Sequence, residues 1–196
     1  MSTSFIRAFF AVDLPLECKE QLGVLMAALK LHLKKSLKHQ PFRWVKPENL
    51  HLTLQFLGQV DQGETAHLLQ AARGEVVGLK SFSLRLGPLE WFPSPHRPQV
   101  ISLRAEPYHA LAELSQALGR GAATLGYIVE DRPFRAHLTL ARVESVRNRD
   151  PALLASFSGE ALADVFVKEV VLFSSQTLSG GPVYTRLDGL ELEAEN

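Results

Sequence analysis

Hydrophobic and polar residues follow two different periods along the chain. Apolar residues recur at helical spacing over about 15–38, 62–77 and 108–125, which predicts three amphipathic helices. Segments that alternate in polarity, or that are rich in β-branched and aromatic residues, predict strands. These predicted strands lie at about 6–14, 50–58, 82–86, 100–103, 137–143 and 166–173. A short helix is expected after Pro151, and a Gly-Gly turn introduces a last strand.

The predicted order of elements is β-α-β-α-β-β-α-β-α-β-β. Strands and helices are mixed without strict alternation, which favours an α+β protein with mixed or antiparallel sheets. No low-complexity segment or linker divides the sequence. We therefore expect a single domain over residues 1–196.

The sequence His-Leu-Thr-Leu occurs twice, beginning at His51 and at His137, 86 positions apart (137 minus 51). Side chains alternate between the two faces of a strand, so each copy displays its histidine and threonine together and buries its leucines. In the first copy, strict alternation also puts Gln55 on the polar face and Phe56 on the apolar face. One copy in each half of the chain indicates two similar lobes. If these lobes face each other, the two His–Thr pairs would meet across a cleft.

Arg142 closes the second copy of the motif. Strict alternation puts Thr139 and Ala141 on the face of His137 and turns Arg142 onto the opposite, leucine face. Arg142 would help to bind a ligand only if the strand ended or twisted there. An exposed surface arginine is the alternative.

Two imidazoles and two hydroxyls suit acid–base chemistry at phosphorus. Histidine has an ordinary pKa of about 6.5, so one ring can be neutral while the other is protonated. Such a pair supplies a general base and a general acid, and threonine hydroxyls can donate to phosphate oxygens. A single His-x-Thr on a strand would be unremarkable, and the repetition is what favours catalysis. A zinc site at the two histidines would lack a third ligand at a recognisable spacing.

Charge and cysteine content limit the partners and the compartment. Lys and Arg total 21 and Asp and Glu also total 21, so no global positive field exists to hold a long nucleic acid. A nucleic acid would have to be bound locally, at a strand end or in a short segment. Cys18 is the only cysteine, which excludes an internal disulfide and fits a reducing compartment. No segment reaches transmembrane length, and we expect a cytoplasmic protein.

Four segments together resemble the 2H phosphoesterase superfamily. They are FFAVDLP at 9–15, the motif W-V-x-P-E-N-L-H-L-T-L-x-F-L-G at Trp44 to Gly58, HLTLAR at His137 to Arg142, and the tail LFSSQTLSGGPVYTRL at 172–187. The branch that this chain most resembles is the RNA 2′,3′-cyclic phosphodiesterases of bacteria and archaea, also called 2′-5′ RNA ligases. The resemblance extends over nearly the whole chain.

The resemblance implies two pseudo-symmetric lobes, each a small sheet backed by helices, with a central cleft. It implies hydrolysis of a 2′,3′-cyclic phosphate at RNA ends or short oligonucleotides to a 2′-phosphate, without a metal. We expect no cofactor, no obligate protein partner and a monomer. By motif position, His51 would be the proton donor to the 3′-oxygen and His137 the base that activates water. Thr53, Thr139 and Arg142 would bind the phosphate. The acid and base roles exchange when the reaction runs in reverse.

One position departs from the family, and other functions stay open. The family usually has a proline directly before the second histidine, where this chain has Ala136, with Pro133 further upstream. A phosphodiesterase for a small cyclic nucleotide or a 2′,5′-linked oligoadenylate is one alternative. A nucleotide- or RNA-end-binding module without turnover is another. Trp44, Phe92 and Tyr184 are candidates to stack on a base, with packing in the core as the alternative for each.

Overall fold

The computed structural model of the chain describes residues 4–37, 42–129, 132–144, 149–159 and 162–194, and in these residues it forms nine strands and four α-helices. The strands are β1 (Phe5–Asp13), β2 (Phe42–Trp44), β3 (His51–Asp61), β4 (Phe82–Phe92), β5 (Val100–Glu106), β6 (His137–Val143), β7 (Val165–Val167), β8 (Glu169–Leu178) and β9 (Gly181–Glu191). The helices are α1 (Leu16–Ser36), α2 (Thr65–Val76), α3 (Tyr108–Thr124) and α4 (Ala152–Ala155), with 3₁₀ turns at Pro47–Asn49 and Gln62–Glu64.

The strands form two antiparallel sheets, with one motif strand in each. The first sheet has the order β3-β1-β8-β9 and the second has the order β2-β6-β5-β4-β7. The predicted α+β class with antiparallel sheets is thus confirmed. The lobes are not continuous stretches of chain, because β2 pairs with β6 in the second sheet whereas β8 and β9 return to the first.

The predicted elements differ from the observed ones at strand ends, at one short strand, and over 166–173, where the single predicted strand is divided between β7 and β8 of different sheets. β2 was not predicted, because three residues are too few to show a period. It forms by pairing with the second motif strand, Trp44 opposite Ala141. β3, β4 and β8 are each longer than the alternation predicted and end at Asp61, Phe92 and Leu178.

Both sheets pack one face against the helices in a shared hydrophobic core. The leucines of both motifs belong to this core and are at most 3% exposed. They are Leu52, Leu54, Leu138 and Leu140. The opposite face of each sheet carries the histidines and threonines, and we call it the histidine face. On the first sheet this face also holds a small apolar cluster of Phe9, Ala11, Val171 and Phe173, against which Tyr184 packs.

Helix α1 shows how the apolar period sets burial. Its buried residues recur every three or four positions, and its polar residues face outward. Lys34 and Lys35 lie in the last turn, where positive charge suits the helix dipole. Cys18 is one of the buried residues, and burial raises the pKa of its thiol. Across the described ranges, no helix is both long enough and apolar enough to cross a membrane.

Helices α2 and α3 contact each other at small residues. A Cβ added at Gly121 would lie 2.9 Å from the Cα atom of Ala72 and 3.0 Å from its backbone nitrogen. Real Cβ atoms do not approach backbone atoms so closely, so the absence of a side chain at Gly121 sets the distance between these helices.

Each motif strand contains a β-bulge at the second leucine of its HLTL sequence. In β3, Phe10 pairs with Gln55 and Ala11 with Thr53, which leaves Leu54 without a partner. In β6, Ile101 pairs with Ala141 and Ser102 with Thr139, which leaves Leu140 without one. A bulge inserts one residue and reverses the alternation after it.

The bulges overturn the predicted faces of four residues. Gln55 is only 7% exposed and Ala141 is fully buried, so both lie on the core side rather than beside the histidines. Phe56 and Arg142, which strict alternation placed on the leucine faces, are exposed instead. The alternation predicted from the sequence was therefore wrong beyond the second leucine of each motif.

Candidate active site

His51 begins strand β3 and is held by two hydrogen bonds. Its Nδ1–H donates to the backbone carbonyl of Asn49 at 2.8 Å. Because a carbonyl can only accept, this bond places the proton of the neutral ring on Nδ1. The Thr53 hydroxyl, 3.0 Å away on the same face of the strand, then donates to Nε2. The first motif therefore presents Nε2 and a hydroxyl side by side.

His137 begins strand β6 with the same arrangement. Its Nδ1–H donates to the carbonyl of Arg135 at 2.8 Å, again two residues upstream of the ring. Thr139 is half-buried on the same face of the strand. Both histidines are thus held in the same tautomer, and in both the nitrogen left to exchange a proton is Nε2.

Aromatic rings surround each histidine. The His51 ring centroid lies 4.8 Å from that of Phe9 and 5.0 Å from that of Tyr184, which stands perpendicular to it. The His137 ring stacks on Phe92 with centroids 3.9 Å apart and an interplanar angle of 16°. The guanidinium of Arg135 covers Phe92 at 4.4 Å from the ring centroid. Each imidazole is therefore partly removed from water.

Burial lowers the pKa of both histidines from the ordinary value of 6.5. The hydrogen bond to Asn49 and the charge of Asp13 partly offset this effect at His51. The hydrogen bond to Arg135 and the charge of Glu90 do so at His137. Asp13 lies opposite His51 in the pairing of β1 with β3, and its carboxylate accepts a hydrogen bond from the Lys19 ammonium at 2.7 Å. Near neutral pH both imidazole rings of the ligand-free protein are accordingly neutral.

Arg142 reaches the site of the other motif. The bulge at Leu140 turns it onto the face of Thr139. Burial lowers the pKa of His51 and raises that of Tyr184, and the positive charge of Arg142 adds to the first shift and opposes the second, so the guanidinium lies within electrostatic range of both. The bulge thus supplies the change of face on which the predicted role of Arg142 depends.

The structure brings the two motif strands together although they belong to different sheets. β3 is an edge strand of the first sheet and contacts β6 of the second. His51 and Thr53 therefore lie on a strand next to the one that carries His137 and Thr139. In the described part of the chain, no group of three or more His, Cys, Asp or Glu side chains is arranged to hold a metal ion.

The three candidates for base stacking occupy different places. Trp44 packs against the core, and the Lys30 ammonium lies 5.0 Å from its ring centroid. Phe92 lies between His137 and Arg135, and Tyr184 stands against His51 and Phe9.

Sequence reasoning missed part of the surroundings of the histidines. Phe9 and Phe173 lie 5.6 Å apart on the histidine face and come from strands near opposite ends of the chain. Only the order of the strands brings them to His51, and no local pattern indicates that order. The carbonyls of Asn49 and Arg135 were also missed, although each lies two residues before its histidine. Because the motif is repeated, the same carbonyl position two residues before each histidine could have been compared in the sequence.

Ala136 directly precedes β6 and is already hydrogen-bonded to the neighbouring strand β5. Its side chain is buried in the core, and its carbonyl accepts a hydrogen bond from the backbone N–H of Ala105 at 3.3 Å. The equivalent position in the first motif, Leu50, is also buried in the core. A proline is thus not needed here to bring the histidine onto the strand.

The duplicated site is matched by a known family. A family model described as LigT-like phosphoesterase matches the chain in two stretches, residues 12–102 and 103–184, each with one motif. The chain belongs to the LigT-like phosphoesterase family. The resemblance to the 2H phosphoesterases that the motifs indicated is therefore confirmed.

Relatives of this LigT-like phosphoesterase align over nearly its whole length. The RNA 2′,3′-cyclic phosphodiesterase of Methanothermobacter thermautotrophicus is 30% identical over 189 residues, covering 95% of this chain and 99% of the relative. The protein of the same name from Thermus thermophilus is 31% identical, with coverages of 97% and 92%. The crystal structure of Escherichia coli LigT with 3′-AMP is 29% identical, has a TM-score of 0.77, and covers 96% of this chain and 99% of its own.

Proposed function

We propose that this LigT-like phosphoesterase hydrolyses 2′,3′-cyclic phosphates at RNA ends to 2′-phosphates, with His51 as proton donor and His137 as proton acceptor. The observation that carries the proposal is the matched pair of tautomers, in which both Nδ1–H groups donate to backbone carbonyls and both Nε2 atoms can exchange protons. The names of the relatives from M. thermautotrophicus and T. thermophilus support the choice of substrate.

The proposed reaction is a single displacement at phosphorus. His137 Nε2 takes a proton from water as the water oxygen attacks the phosphorus atom. The bond between phosphorus and the ribose 3′-oxygen breaks, and His51 Nε2–H protonates that oxygen as it leaves. One water is consumed, and the product carries a 2′-phosphate and a 3′-hydroxyl. His51 then regains its proton and His137 loses one before the next turnover.

Thr53, Thr139 and Arg142 are proposed to hold the phosphate. A phosphate oxygen can compete with His51 Nε2 for the hydroxyl of Thr53, which frees that nitrogen to carry a proton. The bound anion also favours protonation of His51, and Arg142 balances the charge that builds up on the phosphoryl oxygens. These positive groups supply the charge stabilisation within the chain, so we propose a reaction without a metal.

The same arrangement accommodates a 5′-hydroxyl in place of the attacking water. His137 would take the hydroxyl proton, and the product would be a 2′-5′ phosphodiester with a free 3′-hydroxyl. The energy of the strained cyclic phosphate drives this step, so no ATP is consumed. In the reverse reaction His51 would act as the base and His137 as the acid, by microscopic reversibility.

The test is hydrolysis of an oligoribonucleotide ending in a 2′,3′-cyclic phosphate, assayed with and without a chelator. We expect turnover in both conditions and a product with only a 2′-phosphate, identified by ³¹P NMR. A panel with mononucleoside 2′,3′-cyclic phosphates and 2′,5′-oligoadenylate compares the alternative substrates. Binding of 2′-AMP without turnover at high enzyme concentration would contradict the proposal and favour a binding module.

The pH dependence of kcat/KM should reflect the lowered pKa values of both histidines. The free enzyme must hold one neutral and one protonated ring, and both rings have pKa values below 6.5. We therefore expect a bell-shaped profile with its maximum below pH 6.5 and a tenfold fall per pH unit on its alkaline side. The alkaline limb of kcat should lie at higher pH, because bound phosphate raises the pKa of the acid.

Measurement from about pH 4.5 to about pH 9 at constant ionic strength distinguishes these limbs. A value of kcat/KM that rose steadily across this range would be incompatible with the two-histidine mechanism.

A further inference from the structure

Arg135 is exposed, lies two residues before His137, and has a guanidinium that is held in a fixed position. Its Nη1–H group donates a hydrogen bond to the backbone carbonyl of Pro93 at 2.8 Å. The guanidinium carbon also lies over the ring of Phe92, 4.4 Å from the centroid, and the other face of this ring stacks on the His137 imidazole. Guanidinium, phenyl ring and imidazole therefore form three layers, and the charge of Arg135 is fixed one ring away from the proposed base.

The charge of Arg135 is not neutralised by a carboxylate in the described part of the chain, because the Pro93 carbonyl and the Phe92 ring carry no net charge. A guanidinium has several N–H donors in a planar fork that matches the oxygens of a phosphate, and the bond to Pro93 uses one of them. Arg135 is therefore suited to bind an anion from solution. Among the described residues, six other arginines do pair with a carboxylate, and they are Arg43, Arg73, Arg85, Arg104, Arg120 and Arg186.

Arg135 and Arg142 act on different histidines. The charge of Arg142 acts on His51, whereas that of Arg135 acts on His137 and adds to the burial that lowers the pKa of this ring. In an in-line displacement the attacking and the leaving oxygens lie on opposite sides of phosphorus. The leaving 3′-oxygen lies on the side of His51 in the proposed reaction, so the attacking oxygen enters from the side of His137 and Arg135.

We propose that Arg135 binds the phosphodiester of an RNA strand whose 5′-hydroxyl attacks the cyclic phosphate. The inference rests on the proposed function and adds a second anion subsite to it. A 5′-hydroxyl at His137 Nε2 is separated from the next phosphate of its strand by a single ribose, and Arg135 lies a single aromatic ring beyond the imidazole. Water carries no phosphate, so Arg135 distinguishes a strand from water as the attacking group.

The contact with Arg135 serves the joining reaction and its reversal alike. In joining, the 5′-oxygen bonds to phosphorus as His137 takes its proton, the bond from phosphorus to the 3′-oxygen breaks, and that oxygen takes the proton of His51. In reversal, the 3′-oxygen loses its proton to His51 and attacks phosphorus, and the 5′-oxygen leaves with the proton of His137. Cleavage of a 2′-5′ linkage is the better assay, because hydrolysis of the cyclic phosphate that it releases draws the reaction to completion.

The experiment compares two adenosine trinucleotides that share a 2′-5′ linkage between their first and second nucleosides. The second linkage is a 3′-5′ phosphodiester in one and an uncharged methylphosphonate in the other. With wild type, KM for cleavage of the 2′-5′ linkage should be lower for the charged trinucleotide by on the order of 10-fold, the lower end for a hydrogen bond to a charged group. Arg135→Ala should remove most of this difference. Arg135→Lys should retain part of it, because it keeps the charge and loses the planar fork.

Arg120→Ala is the matched control, because it also removes one positive charge, from helix α3 on the other side of the sheets. It should leave the ratio of the two KM values unchanged. An unchanged ratio in Arg135→Ala would overturn the inference, as would equal KM values for the two trinucleotides with wild type.

Hydrolysis of adenosine 2′,3′-cyclic phosphate by the same samples separates this inference from the proposed function. If wild type hydrolyses this nucleotide but cleaves neither trinucleotide, the proposed hydrolysis stands and the inference is overturned. Absence of hydrolysis would contradict the proposed function. In that case calorimetric titration with the 5′-hydroxyl dinucleotide ApA and its methylphosphonate analogue still tests Arg135. Tighter binding of ApA that is lost in Arg135→Ala would support the subsite, and equal binding of the two would overturn it.

Discussion

Replacing His51 or His137 with alanine should lower kcat/KM for a 2′,3′-cyclic phosphate by roughly 10²- to 10⁴-fold, the usual contribution of a general acid or base. Each substitution removes one Nε2 atom that exchanges a proton with the reacting oxygens. The double variant should lose much less than the product of the two single losses, because both rings act on one transition state. The fold should persist, since neither ring belongs to the core shared by the two sheets.

The pH profile of the residual activity in each alanine variant shows which histidine is the acid and which is the base. A base must be neutral, so His137→Ala should remove the acid limb, and His51→Ala should remove the alkaline limb. An exchange of these limbs would reverse the two roles. His109→Ala is the control, because His109 is exposed on helix α3, and it should keep wild-type activity. Full activity in His51→Ala or in His137→Ala would exclude the two-histidine mechanism.

Replacing Gly121 with valine should lower the free energy of unfolding by about 3 kcal/mol, at the upper end of the cost of overpacking. The first added carbon would already lie 2.9 Å from the backbone of α2. A backbone atom cannot move aside as a side chain can, so the helices must separate and lose contacts on both sides of Gly121. For a chain of this length the midpoint of thermal unfolding should fall by roughly 6–12 °C.

Gly74→Ala is the matched control on the neighbouring helix. Gly74 is exposed in α2, and an added Cβ would meet no atom within 4 Å. Alanine should therefore stabilise the protein by roughly 0.5–1 kcal/mol, because it restricts the unfolded chain and favours a helix. Calorimetry of both variants checks the sign at each position. Equal midpoints for Gly121→Val and wild type would mean that the helices can separate without cost.

The hydrophobic period predicted most helices and strands, but it predicted the face on which a side chain lies only up to the bulge in each motif strand. His51 and Thr53 share a face as predicted, since they are two positions apart on the strand and no bulge intervenes. Gln55 lies beyond the bulge and is buried toward Gly119 of α3. The position of the unpaired residue Leu54 depends on how β3 pairs with β1, and the sequence of β3 alone does not indicate this pairing.

The surroundings of the site depended on strand order, which local sequence does not specify. The pattern indicated strands at both ends of the chain but not that β1 lies between β3 and β8. This order puts Phe9 beside Phe173 and both beside His51. Three-residue β2 was also beyond prediction, because its existence depends on an exposed edge of β6. The bulge after Thr139 also places Arg142 on the face of that threonine, which the regular period could not predict, and its phosphate-binding role stays a prediction.

The aromatic rings around His51 come from strands at both ends of the chain, which are synthesised first and last. Phe9 is made early, whereas Phe173 and Tyr184 come from β8 and β9, the last strands of the chain. Closing such a long loop carries a large entropic cost, so pairing of β1 with β8 is expected late in folding. The burial that lowers the pKa of His51 therefore depends in part on strands from both ends of the chain.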